Sequence, residues 1–104
     1  MIIKQCLRKE DILVRWGGEE FVAVLPFTDS KESTIIAETI RLSIENHKFK
    51  FVNKITVSIG IAEKDVVEDF HSWFRRADNA LYNAKENGRN TVCICYTNEI
   101  RNNS

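Results

Sequence analysis

The chain has 104 residues, of which 43% are hydrophobic and 29% are charged, and this size and balance predict one folded domain rather than a disordered segment. Fifteen basic residues balance fifteen acidic ones, so the formal net charge is zero. This balance excludes a nucleic-acid partner bound through a bulk positive charge, and no apolar run approaches the ~20 residues that a membrane segment needs.

Two β-rich runs come first, at residues 12–16 and 20–25, and Gly17-Gly18-Glu19 connects them. A short glycine-rich connection between apolar runs predicts a β-hairpin, because glycine adopts positive φ without steric cost. The second run is apolar on both faces, which predicts a central strand. Pro26 should end that strand, since proline cannot donate a hydrogen bond to the ladder.

A helix is predicted next. Residues 29–32 resemble a capping box, and the helix should end near residues 46–47. Its apolar stripe has helical spacing and comprises Ser33, Ile36, Ala37, Ile40 and Ile44. Residues 54–63 then predict a strand with small residues on one face, where another element should approach closely.

A second helix is predicted over residues 69–87, and Gly88 should close it in the left-handed conformation. Its apolar stripe comprises Phe70, Trp73, Phe74, Ala77, Leu81 and Ala84. A strand at 91–96 and a polar tail at 97–104 complete the chain. This order of elements predicts an α+β sandwich with helices on one or both faces of a mainly antiparallel sheet.

Metal-binding patterns are missing from the cysteines and histidines. The chain has three cysteines, an odd number, and no CxxC pair: Cys6, Cys93 and Cys95. This pattern favours free thiols in a cytoplasmic protein over a metal site. His47 and His71 do not have the spacing of metal ligands, and we expect each near a helix end.

Three polar clusters could carry chemistry. Glu19 and Glu20 lie at the hairpin turn, where rigid carboxylates suit Mg²⁺ but could equally be a solvated loop tip. Lys85 and Arg89 bracket the end of the second long helix, where they could bind phosphates or simply complement the helix dipole. The charged run 8–11 has no assignment of its own and is typical of a solvated face.

Together these clusters resemble the GGDEF family, the diguanylate cyclases. Residues 17–21, Gly-Gly-Glu-Glu-Phe, match the family signature in its Glu-Glu form. Further similar segments follow at family spacing: Arg15-Trp16, Leu25-Pro26, Ala37-Glu38, Ile40-Arg41, residues 56–62, residues 77–82, Ala84-Lys85 and Gly88-Arg89-Asn90. The resemblance covers residues 1–96, which would form the domain, with 97–104 as its tail.

The resemblance implies a ferredoxin-like, nucleotide-cyclase palm fold and an activity. Members of the family condense two GTP molecules into cyclic di-GMP and two pyrophosphates, with Mg²⁺ or Mn²⁺, at the face between two identical domains. Glu19 would be the metal ligand and proton acceptor, and Glu20 a second acidic contact to the metal. The nucleotide would contact the backbone at Gly17 and Gly18 and would be held at its β- and γ-phosphates by Lys85 and Arg89.

The resemblance also gives the charged run a role. Arg8 and Asp11 form an RxxD sequence that five residues separate from Gly17, the family spacing of an inhibitory product site. An arginine fork can bond both phosphate oxygens and a guanine edge, so this pair would bind cyclic di-GMP.

The chain differs from the family pattern at its N-terminal end. The family domain begins with a strand and two helices, and these carry a further metal-binding Asp and the guanine-reading residues. The chain resembles the C-terminal two-thirds of the domain, so we expect an unpaired sheet edge and no cyclase activity from these 104 residues alone. A GTP- or cyclic di-GMP-binding sensor without turnover, and an interaction domain without nucleotide, remain the alternative hypotheses.

Overall fold

The computed structural model describes residues 2–15, 21–48 and 55–95. In these residues the chain forms helices α1 (Ile2–Cys6), α2 (Ser30–Asn46) and α3 (Phe70–Glu86). The strands are β1 (Ile12–Arg15), β2 (Phe21–Val24), β3 (Ile59–Ala62) and β4 (Val92–Cys95). None of the helices in the described ranges combines the length and the apolar character that crossing a bilayer demands.

The strands form two separate pairs. β1 and β2 are antiparallel, with Ile12 opposite Val24 and Arg15 opposite Phe21, which confirms the predicted pairing of the first two runs. β3 and β4 are parallel, with Ile59 opposite Val92. The expectation of a mainly antiparallel sheet was therefore only half right in the described residues. The reason is the connection, because the crossover helix α3 between β3 and β4 brings the chain back in the same direction.

In the part of the chain that the structure describes, β2 is not the central strand that its composition predicted. Within the described residues β1 is its hydrogen-bonded neighbour in a two-stranded sheet, and exposed and half-buried residues alternate along it. Phe21 remains 36% exposed. The unpaired sheet edge expected from the family resemblance stays a prediction, because residues 16–20 and 49–54 lie outside the described part.

β3 is shorter than predicted. The pattern indicated a strand over 54–63, whereas the structure has a strand over Ile59–Ala62; residues 55–58 belong to no strand, and residues 49–54 lie outside the described part. Its partner explains the start. β4 begins at Val92, and the last bond before the ladder runs from the Ile59 amide to the Thr91 carbonyl at 2.9 Å.

α2 follows the prediction closely. Asp29 is its N-cap, and the carboxylate accepts a hydrogen bond from the Glu32 amide at 2.8 Å. The helix ends at Asn46, and His47 is its C-cap. Its buried residues are three of the five in the predicted stripe: Ala37, Ile40 and Ile44.

α3 has the predicted ends, and its buried face overlaps the predicted stripe, since Ala84 is buried and Trp73, Phe74, Ala77 and Leu81 are half-buried. Asp69 caps its start by accepting a hydrogen bond from the Ser72 amide at 2.8 Å, and Gly88 after its end has φ +105°. The buried residues are Arg76, Ala80 and Ala84, while Phe70 stays 55% exposed. Of the predicted stripe, only Phe70 lies exposed, while buried Arg76 and Ala80 were not part of the prediction.

Close contact between α3 and β3 holds the larger part of the fold together. A Cβ added at Gly60 would meet the backbone of α3, including the Leu81 Cα at 2.7 Å. The Trp73 indole N–H donates to the Ala62 carbonyl at 2.7 Å. The small face predicted for this strand is therefore confirmed as the face on which a helix approaches. Ile61 alternates to the opposite face and is buried there.

Candidate nucleotide site

The signature turn connects two paired strand ends. Gly17, Gly18, Glu19 and Glu20 fall in residues 16–20, outside the described residues, so their arrangement stays a prediction. The described residues fix where the turn begins and ends, since Arg15 and Phe21 lie opposite each other. Five residues therefore connect two paired positions at one end of the hairpin.

The two predicted phosphate-binding cations lie at the end of α3. Lys85 is in the last turn of the helix, and Arg89 follows two residues after the C-cap Asn87. Both residues are exposed. Because a helix C-terminus carries partial negative charge, this position favours a cation. The structure thus places Lys85 and Arg89 at one end of one helix.

The turn that carries Arg89 has an unusual backbone. Gly88, Arg89 and Asn90 have φ values of +105°, +62° and +48°, so three successive residues lie in the left-handed region. Glycine adopts this region freely, but arginine does so rarely. The Arg89 amide closes the end of the helix by donating to the Ala84 carbonyl at 3.1 Å.

Asn90 ties this turn to the rest of the fold. Its side-chain Nδ2 donates to Glu45 at 2.6 Å, and its Oδ1 accepts from Arg41 at 3.1 Å. Its backbone amide donates to the Ser58 hydroxyl at 3.1 Å. Sequence reasoning had included Asn90 and Arg41 only as matching letters and had missed this network. One sequence signal for this turn was available: Asn90 follows Gly88-Arg89, and asparagine tolerates the left-handed region better than most residues.

Arg8 and Asp11, the second predicted site, form a compact pair. The Asp11 carboxylate accepts from the Arg8 amide at 2.7 Å and from its guanidinium Nη2 at 3.2 Å. The Asp11 side chain is completely covered, whereas 36% of the Arg8 side chain is exposed. The Arg8 guanidinium is therefore partly accessible to solvent, whereas the Asp11 carboxylate is enclosed by the protein.

The chain between β2 and α2 completes the surroundings of Arg8. Its Nη2 donates to the Pro26 carbonyl at 3.3 Å and to the Thr28 hydroxyl, and Nη1 lies 3.7 Å from the carboxylate of Glu32. The hydrogen bond to Asp11 is the main cause that raises the pKa of Arg8, so the guanidinium stays charged. Pro26, Thr28 and Glu32 were missed from the sequence because they contact Arg8 only after folding.

A third polar cluster was not predicted. Arg76 is buried in α3, and its guanidinium donates to both carboxylate oxygens of Glu68, at 2.7 and 2.6 Å. It also donates to the backbone carbonyls of Glu63 and Cys95. A cleft of about 310 Å³ lies beside this ion pair, lined by Asp65, Val67, Glu68, Asp69, Ser72 and Arg76. These contacts connect three parts of the fold and have the character of a structural clamp.

Cys6, Cys93 and Cys95 form no disulfide with one another, and all three are half-buried. In the ranges that the structure describes, no three histidine, cysteine or acidic side chains gather as a metal site would require.

Comparison with known proteins identifies the family. A family profile described as diguanylate cyclase, GGDEF domain, matches residues 1–91. The chain is 44% identical over 90 residues to the diguanylate cyclase DgcM of Escherichia coli K12, covering 86% of this chain and 22% of DgcM. It is 40% identical over 101 residues to diguanylate cyclase A of Treponema denticola, covering 93% of this chain and 27% of that protein.

Solved structures show the same fold. The GGDEF domain of DgcB from Caulobacter crescentus, in complex with c-di-GMP, superposes with a TM-score of 0.86 at 33% identity, over 90% of this chain and 58% of that one. The active GGEEF domain of a diguanylate cyclase from Vibrio cholerae superposes with a TM-score of 0.84 at 34% identity, over 92% of this chain and 63% of that one. The chain therefore has the α+β fold of these domains, spans less than two-thirds of each, and belongs to the GGDEF diguanylate cyclase family.

Proposed function

We propose that this domain works in the synthesis of cyclic di-GMP from two GTP molecules with release of two pyrophosphates. The observation that carries the proposal is the Lys85–Arg89 pair, placed at the end of α3 in a chain that has the Gly-Gly-Glu-Glu-Phe signature and belongs to the family. A helix end with two exposed cations can bind the β- and γ-phosphates of a nucleotide.

The acidic pair at the turn would hold the metal. Glu19 and Glu20 provide hard carboxylate oxygens, the donors that Mg²⁺ or Mn²⁺ prefers, so their chemistry fits this ion. The bound ion would supply positive charge that polarises the phosphate oxygens. Gly17 and Gly18, which have no side chains, would allow the nucleotide to approach the backbone.

Bond formation then requires two nucleotides. The 3′-oxygen of one GTP forms a bond to the α-phosphorus of the other, and the bond from that phosphorus to the pyrophosphate oxygen breaks. The same step in the opposite direction, from the 3′-oxygen of the second GTP to the α-phosphorus of the first, closes the ring and releases the second pyrophosphate. Glu19 would accept the proton that leaves the 3′-hydroxyl. Since each domain holds one GTP, the reaction needs two domains that face each other, and we propose a homodimer through this face.

The test is cyclic di-GMP production from GTP and Mg²⁺ by the protein at its full natural length. We expect Glu19→Gln to lower turnover by more than about 100-fold, the contribution of a proton acceptor. Lys85→Ala should mainly raise the KM for GTP, while Lys31→Ala, an exposed cation on α2, should leave both constants unchanged. Unchanged turnover in Glu19→Gln would refute the proposal. Cyclic di-GMP made by the 104-residue chain alone would refute the expectation that it is inactive.

A second proposal concerns Arg8 and Asp11, which we infer to bind cyclic di-GMP as an inhibitory product. The supporting observation is the half-exposed Arg8 guanidinium, held in place by the enclosed Asp11 carboxylate. Calorimetry with cyclic di-GMP should show a large loss of affinity in Arg8→Ala and none in Arg75→Ala, an exposed arginine on α3. Equal affinities of the wild type and Arg8→Ala would exclude Arg8 from the site.

A further inference from the structure

We propose that Arg41 and Asn90 are positioning residues, which fix the left-handed turn after α3 so that Arg89 faces the nucleotide phosphates. The inference deepens the proposed function and rests on it, because it assumes that Arg89 binds phosphate. Neither residue needs to contact the nucleotide.

The turn requires outside support. Arg89 and Asn90 are both non-glycine residues with φ values near +62° and +48°, a region that is disfavoured for a residue with a Cβ. Such a conformation persists only where its surroundings determine it. The helix contributes one bond, from the Arg89 amide to Ala84, and the strand that follows contributes the bond between Thr91 and Ile59.

The other contacts converge on Asn90. Its amide, its side-chain nitrogen and its side-chain oxygen bond to Ser58, Glu45 and Arg41 respectively, which belong to the segment before β3 and to α2. Both functional groups of the asparagine amide are therefore satisfied by groups from another element. An asparagine held in this way fixes its own backbone, and Arg89 is the preceding residue.

Arg41 is itself oriented before it reaches Asn90. Its guanidinium makes two parallel bonds of 2.9 Å to the Glu38 carboxylate and lies 3.6 Å from Glu45. These carboxylates raise the pKa of Arg41, so the donor to Asn90 remains charged. Only 15% of the Arg41 side chain is exposed, which leaves it few other orientations.

Nucleotide affinity tests the inference. Calorimetry with a GTP analogue whose α,β linkage cannot be cleaved would compare Asn90→Gly, Arg41→Gln and Arg89→Ala with the wild type. Glycine tolerates the left-handed backbone, so Asn90→Gly removes the side-chain contacts and little else. We expect Asn90→Gly and Arg41→Gln each to weaken binding by about 10-fold to 100-fold, the effect of misplacing a binding group by about 1 Å. Arg75→Gln, the matched control, should bind like the wild type.

Two further measurements separate positioning from a general loss of structure. In an Arg89→Ala background, Asn90→Gly should cause no additional loss of affinity, because the residue that it positions is gone. Affinity for GMP, which lacks the β- and γ-phosphates, should not change in any variant. An undiminished effect of Asn90→Gly in the Arg89→Ala background, or an equal loss for GMP, would overturn the inference.

The proposed function can fail separately. If Arg89→Ala binds the analogue as well as the wild type, Arg89 does not bind phosphate and the proposed role of this pair is wrong. Hydrogen exchange of the Arg89 amide, measured without nucleotide, then still tests the turn. We expect faster exchange in Asn90→Gly and in Glu45→Gln, a milder variant of the same network, and unchanged exchange in both would overturn the structural half of the inference.

Discussion

Gly60 lies where the backbones of β3 and α3 touch. The Cβ of any other residue would overlap the Leu81 amide nitrogen and the Ala77 carbonyl oxygen, and these are backbone atoms that cannot rotate away. Gly88 provides a useful contrast, because it has φ +105° and open space around it. One glycine is required for its lack of volume and the other for its backbone conformation.

We expect Gly60→Ala to destabilise the domain by about 3 kcal/mol, the upper end of the cost of overpacking a core. Gly88→Ala should cost about 1–2 kcal/mol, the penalty for a left-handed residue that bears a Cβ. Urea unfolding monitored by circular dichroism would measure both. If Gly88→Ala were the more destabilising, the close contact between β3 and α3 would tolerate an added Cβ better than the left-handed turn does.

The Arg76–Glu68 pair predicts an acid-sensitive stability. Both side chains are more than nine-tenths covered, and the hydrogen bonds from Arg76 lower the pKa of the Glu68 carboxyl. A carboxyl with a lowered pKa stabilises the folded state above its unfolded pKa of about 4.3. That contribution is lost as the pH falls through the still lower folded pKa.

We therefore expect Glu68→Gln to lower the free energy of unfolding by about 1–3 kcal/mol at pH 7, since a neutral amide bonds the buried guanidinium less strongly. The difference from the wild type should shrink as the pH falls below about 4. Glu86→Gln, an exposed position on α3, should change the unfolding free energy by less than about 0.5 kcal/mol. A difference that did not depend on pH would argue against the ion pair as the cause.

The two long helices begin in the same way. Asp29 and Asp69 each accept a hydrogen bond of 2.8 Å from the amide three residues later. The carboxylate satisfies a free amide and also lies at the positive end of the helix dipole. α2 has one further contact at its start, because the Ser30 amide donates to the Glu63 carboxylate at 2.7 Å.

We expect Asp69→Ala to destabilise the domain by about 1 kcal/mol, as the loss of an N-cap usually does. Asp69→Asn retains the hydrogen-bond acceptor and should cost less than half as much. Thermal unfolding at pH 7 would show the order wild type, Asn, Ala. An Asn variant as unstable as Ala would indicate that charge, and not the cap hydrogen bond, is what matters at this position.

Local signals explain how well these elements were predicted. The helix caps and Gly88 depend on residues that are neighbours in sequence, and each lies where the pattern placed it. The length of β3 depends on a partner strand more than 30 residues away and was wrong. Buried Arg76 was missed for the same reason, because its acceptors come from distant carbonyls and from a loop carboxylate.

In the candidate site, too, local features were predicted and long-range contacts were not. The positions of Lys85 and Arg89 at a helix end followed from a helical pattern and a glycine. The network around Asn90 connects it to residues 32 to 49 positions earlier in the chain, and no local pattern indicates it. The sequence therefore predicted features that depend on neighbouring residues. Contacts between polar groups far apart in the chain became visible only in the folded structure.

At the scale of the whole molecule, the described strands form two pairs that do not share a hydrogen-bonded edge. The helices α2 and α3 both contact β3 and β4. These four elements share a core that includes Ile61, Ala80 and Ala84. The β1–β2 hairpin is less protected, with Ile12 and Val14 exposed at 54% and 43%. A two-stranded hairpin is only marginally stable by itself, and an edge strand can pair with another chain.

We therefore expect the 104-residue chain to self-associate through this hairpin as its concentration rises. Sedimentation velocity over a range of concentrations would detect the association. Val14→Lys should weaken it, because a lysine on an edge strand opposes pairing with another edge. Ile35→Lys, which places the same charge at a 60% exposed position on α2, should leave it unchanged. A chain that stays monomeric and folded at every concentration would show that the hairpin edge is protected, and equal effects of the two lysines would point to charge repulsion instead of edge pairing.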